Sequence, residues 1–408
     1  MADVIVSRQG MDSARHGHPW LYRASIDHFS SSPERLGSIV RLVSEQGEPF
    51  GCGILDPNSP IAVRVWGLGP DARLDADVFR TRVERALAVR KVLFSDGRTT
   101  AYRLLNGEGD RVPGFVLDRY DDVAVLKIDG DAAKALAPTL TRDLEKVLRD
   151  AGITTLLERE SGRTAARSDS DASTKSEAKR IHVRFGPERE KVQVLEHGVP
   201  WVVDLIRGQK TGAFLDQREN RRRVGELVAR RLHAGLGARV LNLFSYTGGF
   251  SLRAALAGGK VTSLDIAAQA HATAQESFKL AGVAPKDHEF VAADAFAWLA
   301  DAKRKGRTWD VVISDPPSFA PSEKAKPKAI SAYRALHRAC VEVLAPGGHF
   351  VAASCSSHVG AEEFLHTLDD AALGHNDLRL CSFYGPPDDH PTLPSFPEGR
   401  YLKLAILA

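Results

Sequence analysis

A few short stretches hold residue types that can do chemistry. Cys355 closes the apolar run FVAASCS, and its small hydroxyl neighbours leave the thiol accessible. A thiol becomes a nucleophile when a nearby positive charge or a helix end favours the thiolate. The bland alternative is a buried, inert cysteine. Asp315 opens DPPSF directly after the apolar run VVIS. Two prolines after a strand stiffen the backbone and stop the strand, so the carboxylate is held in one place. A rigid loop with a capping acid is the alternative there. Val240 to Leu256, VLNLFSYTGGFSLRAAL, reads as a strand, a tight turn over Ser245 to Gly249 and a helix starting near Phe250. Its glycines let the backbone approach a ligand, and the helix start points free N–H groups at it. Further on, VTSLD ends in Asp265, an acid suited to a pair of ribose hydroxyls at the tip of a neighbouring strand. Asp294-Ala295-Phe296 can receive an adenine amino group, cap a helix, or do both.

Such residues work together only if a scaffold gathers strand ends. From residue 238 onward, strands at 239–243, 261–265, 288–292, 309–314 and 348–353 alternate with helices at 250–257, 267–281, 294–303 and 330–345. Alternation with continuous apolar strands predicts an α/β fold, a doubly wound, Rossmann-like parallel sheet. Ligands collect at the carboxyl ends of its strands, where every residue named above falls. The last apolar runs, Leu378–Tyr384 and Tyr401–Leu407, suit an antiparallel closing hairpin.

The rest of the chain reads differently. Residues 1–70 look all-β, with strands at Ser38–Ser44, Pro49–Leu55 and Pro60–Trp66 and no helical period, as in a small binding barrel. Arg15, His16, His18, Trp20 and Arg23 near its start form either a solvated loop with Trp20 tucked in or an RNA contact. Residues 75–190 suit a second small α/β domain, with helices at 75–93 and 132–149 around strands near Tyr102–Leu105, Phe115–Asp118 and Val123–Ile128. Residues 160–180 carry almost nothing apolar beyond alanine and predict an exposed loop. VQVLEHGVPWVVDLI predicts a hairpin turning at His197-Gly198. The run Arg221 to Arg223 follows at a helix start, a pattern that is ordinarily a solvated face, with an electrostatic role as the alternative.

At 408 residues with a formal charge of +3, the chain has room for two or three domains and permits, without demanding, a nucleic-acid partner. Cys52, Cys340, Cys355 and Cys381 lie far apart with no CxxC pair, so neither a zinc site nor a disulfide framework is expected. No apolar run approaches the ~20 residues that cross a bilayer, and the start lacks the order of a signal peptide, so the expected location is the cytoplasm.

Taken together, these residues resemble the class I S-adenosylmethionine-dependent RNA methyltransferases, and most closely the ribosomal large subunit methyltransferase I family. The likeness rests on His18–Trp20, the EHG and GQKTGAFLDQREN runs, VLNLFSYTGGFS, DPPSF, SCS, Asp389–Pro391 and PEGRYLK, so it spans nearly the whole chain. It implies a PUA-like RNA-binding barrel over residues 1–70, the central domain over 75–190, and a methyltransferase domain over 191–408. It implies S-adenosylmethionine as cofactor, large-subunit ribosomal RNA as partner, no metal, and 5-methylcytosine as product. A homodimer is left open. On this resemblance the methyl donor lies against Phe244, Ser245, Tyr246, Thr247, Gly248 and Gly249. Asp265 takes the ribose, Asp294 and Ala295 lie by the adenine, and Ile266 and Gln217 complete the cofactor set. Cys355 is the nucleophile. Asp315, counted with both the catalytic and the cofactor residues, bonds the ring nitrogen. Another branch of RNA cytosine methyltransferases has a second cysteine after the two prolines, where this chain has Ser318, so the base that removes the ring proton is unassigned.

Three rival readings differ in chemistry. A methylase of exocyclic amines shares the D-P-P box but needs no cysteine. A nicotinamide dehydrogenase is suggested only by the turn and Asp265, lacks G-x-G-x-x-G, and leaves Asp315 and Cys355 unexplained. A non-enzymatic RNA-binding protein leaves the acids at the strand tips without a purpose.

Overall fold

The computed structural model describes residues 1–29, 35–160, 181–320, 322–372 and 378–408. The polar stretch expected as a loop over 160–180 falls, beyond residue 160, outside them. The chain divides into two compact units. One comprises Met1–Leu195, Val203–Leu215 and Asp388–Gly399; the other comprises Glu196–Val202, Asp216–Pro387 and Arg400–Ala408.

The first unit opens with strands β1 (Ala2–Val6), β2 (Trp20–Tyr22), β3 (Ile26–Phe29), β4 (Ile39–Val43), β5 (Pro49–Leu55) and β6 (Ile61–Leu68) in one six-stranded sheet, order β2-β6-β5-β4-β1-β3. Val4, Val6, Leu21, Val40 and Leu42 fill its core. The all-β expectation for this region needs correcting. Helix α1 (Arg8–Arg15) lies between the first two strands, capped by the Ser7 hydroxyl accepting from Gly10 N. It buries only Gly10 and Ala14, so it carries no apolar stripe for a sequence pattern to show. In the cluster nearby, Arg15, His16 and Arg23 are exposed, while Trp20 is tucked in. Trp20 Nε1 donates to Glu108 Oε1 at 2.8 Å, and its ring meets Phe396 edge-on at 4.7 Å.

Helix α2 (Ala76–Leu93) then leads into β7 (Ala101–Asn106), β8 (Phe115–Tyr120), β9 (Val123–Ile128), β10 (Thr155–Arg159) and β11 (Ile181–Phe185), a second sheet in the order β11-β10-β9-β8-β7. The helix expected over 132–149 is two helices, α3 (Asp131–Leu140) and α4 (Leu144–Asp150). At the break, the Thr141 hydroxyl turns back to donate to Ala137 O, competing with helix continuation. Strands β12 (Lys191–Glu196) and β13 (Val199–Asp204) form the expected hairpin, its turn made by His197 at φ 48° and Gly198 at φ 78°.

The second unit holds α5 (Arg218–His233) and then the alternating series: β14 (Arg239–Leu243), α6 (Gly249–Leu256), β15 (Lys260–Asp265), α7 (Ala268–Leu280), β16 (Glu289–Ala292), α8 (Ala295–Arg304), β17 (Trp309–Ser314), α9 (Lys326–Val341), β18 (Leu344–Ser354), α10 (Ala361–Ala372), β19 (Leu380–Tyr384) and β20 (Lys403–Leu407). They make a seven-stranded sheet, order β16-β15-β14-β17-β18-β20-β19. The β14 to β18 pairings are parallel, and β20 pairs antiparallel with both β18 and β19. The fold class is therefore the expected α/β sheet with an antiparallel closing hairpin. Order reverses between β14 and β17, which opens the crevice where ligands of such sheets bind. Leu241, Leu243, Val312, Phe350, Tyr333 and Leu336 fill one face; Val240, Val311, Ile313, Val351 and Leu404 fill the other.

Candidate active site

The turn after β14 is held by polar groups beneath it. Asn242 Nδ2 donates to Ser251 Oγ at 2.9 Å, and Ser263 Oγ donates to the same hydroxyl at 2.7 Å, tying β14 and β15 to the start of α6. Above this base the chain winds tightly. Phe244 (φ 55°) and Tyr246 (φ 47°) both adopt the left-handed conformation that side chains disfavour, and Gly248 (φ 75°) follows. Non-glycine residues held there mark a backbone over-determined by its surroundings, a frequent property of binding turns. The glycines also serve packing. A Cβ on Gly248 would meet the Ala274 Cβ at 2.9 Å, and one on Gly249 would meet the Arg221 Cδ at 2.6 Å.

Asp265, at the end of β15, is fixed by two backbone amides. Its Oδ2 accepts from Tyr246 N and its Oδ1 from Ala267 N, both at 2.8 Å. Each oxygen keeps a lone pair for a hydroxyl. Ile266 beside it is 77% exposed, leaving an apolar surface next to the carboxylate. Ser245 Oγ is buried with no hydrogen-bond partner among the described residues, a donor awaiting an acceptor. Asp294 caps α8, its Oδ1 accepting from Ala297 N at 2.9 Å, with Ala295 buried behind it. An orphan hydroxyl, a fixed carboxylate and an exposed aliphatic side chain along one sheet edge fit an adenosyl group.

Asp315 and Cys355 follow adjacent parallel strands. Ser314 of β17 pairs with Ala352 of β18, so both residues emerge at the same carboxyl edge, Cys355 two residues further along than Asp315. Asp315 Oδ2 accepts from Gln217 Nε2 at 2.9 Å; Gln217 Oε1 accepts from Asn220 Nδ2 at 2.6 Å; Asn220 Oδ1 accepts from Arg223 Nη1 at 2.9 Å. Gln217 and Asn220 are almost fully buried, so this chain of amides orients one carboxylate oxygen. Tyr333 on α9 is buried, with its hydroxyl 2.9 Å from Ser354 Oγ. Burial pushes this phenol up to about 12, and the charges of Cys355 and Asp315 push the same way, so all three groups share one neighbourhood. The four cysteines differ. Cys52 and Cys340 are fully buried, and burial pushes their thiols up to about 11 and about 12; Cys381 is exposed; Cys355 is half-buried.

The arginine run is a solvated face only in part. Arg221 is 5% exposed, its Nε 3.0 Å from Glu196 Oε1 and its guanidinium over the Trp201 ring. Arg222 pairs with Glu219 at 3.0 Å, and Arg223 is spent on Asn220 and the Tyr384 ring. Packing of the helix start on the hairpin buries Arg221, while Arg222 and Arg223 stay partly exposed. Sequence reasoning did not find Tyr333 or Asn220. The residues they serve, Ser354 and Asp315, are distant in the chain, and neither sits in a turn or at a strand end that would have drawn notice. Among the described residues, no cluster of His, Cys, Asp or Glu could hold a metal, and no helix is long and apolar enough to cross a membrane.

Comparison with known proteins adds family to geometry. Residues 179–395 match the family described as S-adenosylmethionine-dependent methyltransferase, and residues 4–67 match a PUA-like domain. A ribosomal RNA large subunit methyltransferase of Deinococcus radiodurans is 38% identical over 410 residues, covering 98% of this chain and 96% of its own. Ribosomal RNA large subunit methyltransferase I of Aliivibrio fischeri is 34% identical over 408 residues, covering 99% and 98%. A solved structure from Streptococcus mutans shares the fold across 100% of both chains, with a TM-score of 0.84 at 23% identity.

Proposed function

The chain belongs to the family of S-adenosylmethionine-dependent ribosomal RNA large subunit methyltransferases, and from that premise we propose that it methylates carbon 5 of a cytosine in large-subunit ribosomal RNA through Cys355. The observation that carries this reading is the emergence of Cys355 and Asp315 at the same carboxyl edge of paired parallel strands, with the Asp315 carboxylate oriented by Gln217. Phe244, Ser245, Tyr246, Thr247, Gly248 and Gly249, with Asp265, Ile266, Asp294 and Ala295, would hold S-adenosylmethionine. When bound, that group supplies an electrophilic methyl to carbon 5 and departs as a neutral thioether.

The chain's own residues do the rest. The Cys355 thiolate adds to carbon 6 of the cytosine, and the ring's electron pair moves to make carbon 5 nucleophilic. Asp315 hydrogen-bonds the ring nitrogen and stabilises the altered charge. Loss of the carbon-5 proton then returns electrons to the ring, the carbon–sulfur bond breaks, and the thiolate is regenerated. The base must leave its stack to reach a half-buried thiol. We assign RNA contact to the PUA-like region, residues 1–70, with 75–190 as the central domain and 191–408 as the catalytic one. The reading places the enzyme in the cytoplasm with ribosomal RNA as its partner; it requires no homodimer.

The test is transfer of labelled methyl from S-adenosylmethionine to ribosomal RNA, followed by nucleoside analysis. The label is expected in 5-methylcytosine, and Cys355→Ala should reduce turnover by at least about a thousandfold. Label on an exocyclic amine, with Cys355→Ala still active, would establish the rival methylase instead.

A further inference from the structure

Lys403 is the first residue of β20, a strand buried at every position, and is itself only 3% exposed. Lysine is almost never fully buried without a partner. In the antiparallel ladder it pairs with Ser354, the residue before Cys355. From there its Nζ passes the end of β18 and donates to two carbonyls, Ser356 O at 2.7 Å and Val359 O at 2.6 Å. Both belong to the loop that begins with Cys355. Lys403 therefore ties down the loop that Cys355 opens.

Carbonyl bonds satisfy the amine's hydrogens but not its charge. Among the described residues, no carboxylate hydrogen-bonds to Nζ. Glu363, the nearest acid it senses, is held instead by Lys326 Nζ at 2.7 Å and Gly360 N at 2.8 Å. Cys355 is the other group whose charge Lys403 senses. Burial pulls the lysine down to about 8, while Cys355 and Glu363 pull it back up, so at neutral pH the ammonium form predominates. Other titratable groups near this loop include Tyr333, bonded to Ser354 Oγ, Asp315 at the tip of β17, and His358 of the loop itself, 3.3 Å from Glu323. A buried cation without a bonded counter-ion is costly. Its retention makes sense where a neighbouring group must become an anion.

We propose that Lys403 supplies the positive charge that favours the Cys355 thiolate and, through its two carbonyl bonds, aims that sulfur, making it a positioning residue of the methyl-transfer site. The proposal rests on the reading of Cys355 as nucleophile. A fixed ammonium beside a thiol favours thiolate over thiol, so the sulfur is ionised at the pH where the enzyme works. A purely structural lysine would hold the loop but leave the ionisation of the thiol unchanged.

The experiment measures alkylation of the full-length protein by iodoacetamide between about pH 5 and pH 10, read at each cysteine by peptide mass spectrometry. In the wild type, the half-point of Cys355 should lie at least about one pH unit below that of exposed Cys381, an internal reference that needs no variant. Lys403→Met should raise the Cys355 half-point by about one unit or more and slow its alkylation at neutral pH about tenfold. Lys403→Arg, which keeps the charge, should restore most of that shift. Methyl transfer by the methionine variant should recover as pH rises, with S-adenosylmethionine affinity by calorimetry unchanged. A wild-type Cys355 half-point at or above that of Cys381 overturns the proposal, whether or not the variants fold. So does an unmoved half-point in a folded Lys403→Met protein. A Cys355→Ala enzyme that still transfers methyl would refute the nucleophile reading and leave the alkylation result standing, so the two failures are distinguishable.

Discussion

Asn220 never touches Asp315, yet it decides how that carboxylate is presented. Its Nδ2 fixes the amide of Gln217, and Gln217 Nε2 in turn fixes Asp315 Oδ2. Asn220→Ala removes the middle link and leaves a buried amide oxygen without its donor. That should cost about 1–3 kcal/mol of stability. It should also lower kcat more than it raises KM, because Asp315 would act on a ring whose charge has changed. Steady-state kinetics beside a thermal melt checks both, and an unchanged kcat would show that Asp315 needs no such support. At this scale the sequence was informative where a residue announces itself. Asp315 stands before two prolines, Cys355 among small hydroxyl residues, and Asp265 at the end of an apolar strand. Asn220 closes the GQKTGAFLDQREN run and Tyr333 stands in no motif, but neither announces its role, because their partners are brought to them only by strand register and helix packing.

Among the elements, α9 carries the most instructive tension. His337 lies on its inner face at 0% exposure, with Nδ1 3.1 Å from Thr367 Oγ1 of α10 and Tyr333, Phe350 and Phe364 around the ring. Burial pulls it from the usual 6.5 down to about 4. The folded protein therefore refuses a proton that the unfolded chain accepts. Stability is whole above about pH 6.5 and falls as pH drops towards about 4, by about 3 kcal/mol in all, then no further from this group. His337→Phe should flatten the acid side of the stability curve in denaturant titrations at pH 7 and pH 5. An equal acid loss in both proteins would assign the effect elsewhere. Elements were legible in proportion to their burial pattern. The alternating strands and helices after residue 238 declare themselves through continuous apolar runs. Helix α1 does not, since it buries only two small residues, and α3 and α4 merge in sequence because the break between them is made by a side-chain hydrogen bond.

At the scale of the molecule, the late excursion Asp388–Gly399 belongs to the first unit although strands of the second flank it in the chain. Asp389 explains why. It is wholly buried, its Oδ2 accepts from Arg103 N at 2.9 Å, and its carbonyl accepts from Arg90 Nη2 at 2.8 Å. Arg90 is also held by both oxygens of Asp110 at 2.7 Å. Asp389→Ala strands a buried amide and should destabilise the first unit by about 1–3 kcal/mol. RNA affinity should fall while S-adenosylmethionine binding, measured by calorimetry, is unaffected; loss of both would mean that the two units do not respond separately. The Asp-His-Pro run was visible as a family signature, but its purpose was not, because a motif does not name the unit it joins. The same detour has a consequence for biosynthesis. β20 lies between β18 and β19, yet the ribosome makes it after both. A nascent chain that has emerged only as far as Tyr384 therefore exposes the unpaired edge of β18 beside a strand that has nowhere to dock. Until the Lys403 stretch leaves the exit tunnel, the sheet stands open and the loop after Cys355 lacks the lysine that ties down its Ser356 and Val359 carbonyls.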